Sequence, residues 1–179
     1  MKHLLIVAMC LLACATLWAV RRNGPTKNLS VSLHVARAKR TQVVFGVAIF
    51  VAALFMGGQF FGWLLPHYEA NAISYALFGL VVASFVLIAL VPHIEGTWRS
   101  DIHNFAAWGL VCIVPPVILL TLAWPLSAIS WWFSLVMLAA VSCLLILSLV
   151  RKELRRWFLY FQVSYVALFF FSLLAITYY

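Results

Sequence analysis

Acidic side chains are almost missing from this chain. Glu69, Glu95, Asp101 and Glu153 are the only four in 179 residues, and charged residues of both signs make up 9%. A soluble domain carries about 25%. So little charge cannot cover a water-facing surface, and with 66% apolar residues the chain is expected in lipid. The absences continue inside the long apolar runs. No Asp, Glu, Lys, Arg or His stands in the middle of one. That excludes a carboxylate-driven proton pump, haem held by two mid-span histidines, and a retinal lysine. No CxxC, HExxH or HxxxH occurs, so thiol redox and the common zinc motifs have no support. The four cysteines, Cys10, Cys14, Cys112 and Cys143, all lie in apolar runs, and the burial habit of free cysteine predicts packing.

Six apolar segments are present, at about 3–20, 42–65, 72–91, 103–123, 130–150 and 157–178. Crossing about 30 Å of hydrocarbon takes about 20 helical residues. Helices are required because lipid cannot satisfy open backbone groups, and the runs lack the alternation of barrel strands. The sequence therefore predicts an all-α polytopic integral membrane protein. Six transmembrane helices form one bundle domain over 1–179, with short loops. The first segment, with Lys2 and Ala13-Cys14-Ala15, resembles a signal peptide, and Leu11-Leu12-Ala13-Cys14 a loose lipobox. The apolar run continues to Val20 and meets Arg21-Arg22, a stop signal that favours a retained helix.

The net charge of +8 sits on loops. Arg21, Arg22, Lys27, Arg37, Lys39, Arg40, Arg99, Arg151, Lys152, Arg155 and Arg156 fall on one side, against Lys2 on the other. Positive-inside bias puts the first set in the cytoplasm and both termini outside, in a bacterial inner membrane. Cations beside lipid predict membrane lipids as partners, with anionic headgroups at 21–41 and 151–156, and no nucleic acid. A membrane-protein partner or a second copy is the other expected partner. Trp18, Trp63, Trp124, Trp131, Trp132 and Trp157 fall near helix ends, as an interfacial belt. In 21–41, Gly24-Pro25 breaks the chain, and 30–40 reads either as a short basic interfacial helix or as a solvated tether.

Pro66-His67-Tyr68-Glu69 and Pro92-His93-Ile94-Glu95 share a pattern. The third segment separates them by about 30 Å of helix rise, so they cannot form one site. Each reads as a proline ending a helix where polar residues meet water. Within the second loop, His93, Glu95, Asp101 and His103 could hold zinc or another divalent metal with an open position. Against that, Arg99 can pair with Glu95 or Asp101, and Asp101 can cap the fourth helix. No cofactor is predicted; a metal is the alternative. His103 and Asn104 open that helix, facing the bundle with Ala106, Ala107 and Gly109. His103 reads either as a headgroup-level histidine bonded to the last loop or as a proton-responsive group.

Within the spans, Gly57, Gly58, Gln59 and Gly62 predict a helix-packing stripe, and Gln162 is an isolated polar residue. Pro115 and Pro116 must free carbonyls near Val111 and Cys112 and bend the fourth helix.

Pro92, Gly96, Asp101, His103, Ala106 and Ala107 give a helix ending in proline, a short acidic loop, and a histidine before small residues. This resembles a bacterial membrane family called domain of unknown function 998, distantly similar to Frag/DRAM/Sfk-type membrane proteins. The likeness covers about a tenth of the chain. It implies a small multi-helix membrane protein and no particular reaction.

Three functions stay open, one of them a scaffold or assembly subunit with no ligand. Another is a non-enzymatic protein binding lipid or a small apolar ligand or assisting a partner, including the substrate-binding subunit of a small-molecule transporter. The third is a metal-dependent membrane hydrolase using the second-loop cluster.

Overall fold

The computed structural model describes residues 2–24, 29–151 and 157–178. Lys27, Pro25, Lys152, Arg155 and Arg156, named above for the loops, lie outside the described residues. Among those described there are no strands, and six helices are long and apolar enough to cross a membrane. The protein is an all-α, multi-pass integral membrane protein.

Helix α1 is Leu4–Asn23. Leu5, Ala8, Leu12, Ala15 and Ala19 recur at spacings of three and four and are all buried. That stripe packs on α3, which spans Lys39–His67 and answers with Phe45, Ala48, Ile49, Ala52, Ala53 and Met56. Small residues facing each other let two backbones approach closely, the main source of helix association where lipid removes the hydrophobic drive. Helix α1 stops at Gly24, whose φ of 79° suits glycine.

Over 30–40 the first loop is not a tether. It holds a short helix α2, Val31–Ala36, whose Ser30 hydroxyl oxygen accepts from Leu33 N at 3.1 Å. Val31, His34 and Val35 are buried, so its apolar side faces the bundle rather than lipid. Asn23 Nδ2 donates to His34 O at 2.7 Å, and Arg37 Nη1 donates to Asn23 O at 2.7 Å.

Helix α3 continues past the expected end at 65. Residues Phe60–Leu64 form a π-helical turn and Leu65–His67 a last α-turn, so Pro66 lies inside the helix rather than ending it. A π-turn is wider, which eases the clash of a proline ring with the carbonyl four residues before it. Helix α4, Ala72–Leu90, is capped by Asn71 Oδ1, which accepts from Ser74 N at 2.9 Å. It packs tightly against α3 at Gly46. A Cβ there would stand 2.9 Å from Ala89 O.

Helices α5 (Trp98–Thr121), α6 (Ala128–Val150) and α7 (Phe158–Tyr178) complete the bundle. Neighbours in sequence pack side by side, α7 returns to α1, and α5 also touches α7. The end away from the basic loops is tied by several bonds. Tyr178 Oη donates to Lys2 O at 2.9 Å, Tyr68 Oη to Ile176 O at 2.8 Å, and Ser130 Oγ to Ala175 O at 3.1 Å. Tyr68 also stacks on Trp124, at 4.8 Å between ring centres.

Three packing expectations are corrected. The cysteines are exposed, all four of them, and so face outward to lipid. Such an environment is as apolar as a core, so a thiol need not be packed by protein. The Gly58-x-x-x-Gly62 stripe does not act as one contact: Gly58 meets Leu4, Gly57 meets Val82, and Gly62 is exposed on the π-turn. A π-turn adds a residue and rotates the second glycine off the first one's face. Asp101 does not cap α5. The helix begins five residues before the expected 103, and its N-cap Thr97 makes no side-chain cap bond. Asp101 instead lies in the first turn, where a carboxylate suits the helix dipole.

Candidate functional site

The early start of α5 puts His103 about 7 Å along that helix at 1.5 Å per residue, rather than at its mouth. It is buried. Helix α4 ends just before Pro92, which leaves the carbonyl of Val91 outside any helical ladder. His103 Nδ1 lies 2.7 Å from that carbonyl oxygen. A carbonyl only accepts, so Nδ1 carries the proton and Nε2 in the neutral ring is an acceptor. The hydroxyl of Ser32 on α2 donates to Nε2 at 2.8 Å. One imidazole thus ties the end of α4, the short α2 and α5 together. The expected partner of His103 was the last loop. The observed partners are the first loop and the α4 end.

Asn104, the next residue, is exposed rather than buried. Its Nδ2 reaches Ser100 Oγ only at 3.5 Å. Ala106 is buried with His103, Ala107 is half-buried, and nothing lies within 4 Å of a Cβ built on Gly109. So the five residues do not share one inward face.

A groove opens beside this histidine. Its volume is about 120 Å³. The polar wall is Ser30, Ser32, His103, Asn104 and Gln162, and the apolar wall includes Ala107, Trp108, Val111, Leu144 and Phe161. Gln162, an isolated polar residue in the sequence, is drawn in by α2: Val31 N donates to its Oε1 at 2.9 Å. Two features that lie 58 positions apart, His103–Asn104 and Gln162, therefore meet at one place because α2 folds onto both.

Tyr165 lines the same groove and has a structural duty. Pro115 has no N–H, so the carbonyl four residues earlier, Val111 O, loses its helical donor. Tyr165 Oη donates to it. The prolines signalled a free carbonyl there, and a tyrosine midway along the last apolar run was the signal for its donor. Ser32 had no such signal, since a serine in a basic loop is commonplace.

The second-loop cluster does not converge. His93 and His103 pack edge to face, with ring centres 5.5 Å apart, and His93 Nδ1 is 3.5 Å from Ser100 Oγ. Glu95, Arg99 and Asp101 are exposed. Arg99 lies over Trp98, 5.6 Å from its ring centre, and no ion pair to Glu95 or Asp101 forms among the described residues. Both ring nitrogens of His103 are already bonded. Among the described residues no group of three or more His, Cys, Asp or Glu could hold a metal ion. The residues present do not fit a zinc site. The Gly57–Gln59 segment lies far along α3 from the groove, and both amide atoms of Gln59 are buried without a partner.

No family model, no curated protein and no solved structure matches this chain.

Proposed function

We propose that this is a non-catalytic membrane protein that binds a lipid or a small apolar ligand in the groove between α5, α6 and α7. The observation that supports this reading is the division of one small space into a polar wall, at His103 and Gln162, and an apolar wall, at Val111 and Leu144. Lipids are divided the same way. The volume argues for part of a ligand rather than the whole of a large one. Sites for drug-sized molecules run to about 300–1,000 Å³, against about 120 Å³ here. A headgroup or a chain end fits, and the rest of the molecule stays in hydrocarbon.

In this reading the basic end faces the cytoplasm of a bacterial cell and both termini lie outside, following the charge bias. Arginines and lysines of 21–41 and 151–156 hold anionic headgroups. A metal-dependent hydrolase gains no support, because Glu95 and Asp101 stand apart from the two histidines.

The test fills the groove. Full-length protein and an Ala107→Phe variant are purified in mild detergent and weighed by native mass spectrometry. The wild type should retain a bound small molecule that the variant has lost. Equal retention by both, or none by the wild type, would contradict the proposal.

A further inference from the structure

The hydrogen-bonding inventory of the groove restricts what its polar wall can receive. Val31 N can only donate, so the amide atom of Gln162 facing it is oxygen and the Nε2–H₂ group is the other. No described residue accepts from that group. Three of the hydroxyl protons along the wall are spent. Tyr165 gives its proton to Val111 O, Ser148 to Leu145 O at 2.7 Å, and Ser32 to His103 Nε2. What these hydroxyls still offer is lone pairs. Asn104 adds an unpartnered Oδ1 and, like Ser30 and Trp108, a proton that no described residue accepts. No Lys, Arg, Asp or Glu lines the groove.

A phosphate or carboxylate needs several converging donors or a cation. Here it would meet neutral donors and acceptors but no cation, and an unpaired charge away from water is far costlier than an unpaired amide. A carbonyl needs one donor. A hydroxyl beside it finds acceptors at Ser32 and Tyr165. The size agrees, since a cavity of about 150 Å³ takes one benzene ring and this groove measures about 120 Å³.

Resting on the groove reading above, we infer that the site selects an uncharged amphiphile through a carbonyl oxygen, received by the Gln162 amide N–H. An acylglycerol ester and a lipophilic quinone share that chemistry.

Four probes separate the possibilities by their effect on thermal unfolding of the full-length protein in detergent: monooleoylglycerol, its alkyl-ether analogue, a decyl-substituted benzoquinone, and oleoyl lysophosphatidate. A carbonyl probe should raise the midpoint, while the ether and the phosphate should not. A response to one carbonyl probe alone identifies the source and upholds the inference. Gln162→Met should raise the probe concentration needed for a given midpoint shift about five- to tenfold, the usual worth of one hydrogen bond. Gln162→Glu, read above the pH at which its carboxyl ionises and with a probe-free midpoint matching the wild type, keeps the acceptor for Val31 N and removes the donor, so it should behave alike. An equal response to the ether, or an unchanged response in both variants, would overturn the carbonyl assignment. A larger response to lysophosphatidate would overturn neutrality while leaving the groove reading standing. Silence from every probe, together with unchanged native masses in Ala107→Phe, would overturn the groove itself.

Discussion

The Oγ of Ser32 lies 2.8 Å from Nε2 of His103, and this pair stands between two spaces. One is the groove. The other, about 30 Å³, lies toward α3 and α4 and is lined by Gln42, Gly46 and His93. Both spaces include Ser32 and His103 in their walls.

His103→Ala should therefore be the most damaging single change at the basic end. It leaves the Val91 carbonyl without its donor and opens one space into the other. An unsatisfied buried group costs about 1–3 kcal/mol. Ser32→Ala should cost less, about 1 kcal/mol, because His103 keeps its bond to Val91. In the double variant the two losses should fall short of their sum, as expected for direct partners. Unfolding in a mixed-detergent titration would check all three; full additivity would show that the pair is not coupled.

Tyr165 and Pro115 make a second coupled pair. Tyr165→Phe should destabilise by about 0.6–2 kcal/mol, the range for hydrogen bonds between membrane helices. Pro115→Ala restores a backbone N–H to Val111 O, so in that background Tyr165→Phe should cost clearly less. The same unfolding measurement reads the difference. An equal cost in both backgrounds would mean that the tyrosine does not serve the proline.

Glycine positions should differ sharply along the helices. Gly46→Leu places its Cβ against the Ala89 backbone oxygen, which cannot swing away, so it should unfold or loosen the α3–α4 contact. Gly109→Leu has open space around it and should be close to neutral. Expression level and melting temperature compare the two.

What the sequence made readable was whatever lipid enforces. Six apolar runs had to be helices, and their limits fell within a few residues, because apolar length is set by bilayer thickness. Local exceptions were hidden. The π-turn at Phe60–Leu64 has no residue signature, so α3 was expected to stop at Pro66. Thr97 starts α5 without a cap bond, while Asp101 is the better cap by type, so the helix start was placed late. His103, Asn104 and Gln162 were each visible as polar residues in apolar surroundings. Their meeting was not, because it depends on α2 folding inward, and nothing in the basic loop marks Ser32 as a partner.

The orientation is testable with single thiols in a cysteine-free background. Glu69→Cys lies on the end that carries the termini, and Glu95→Cys on the basic end; both positions are exposed. A membrane-impermeant maleimide applied to intact cells should label Glu69→Cys and spare Glu95→Cys until the cells are opened. The reverse pattern would invert the topology.

The most direct test of the central claim places a photoreactive amino acid at Trp108, in the groove wall, and in a second variant at Leu119, an exposed position farther along the same helix. Illumination in native membranes followed by mass analysis of the protein should yield one defined adduct at Trp108 and only scattered bulk phospholipid at Leu119. Ala107→Phe should remove the defined adduct. The same bulk lipid profile at both positions would contradict a ligand groove.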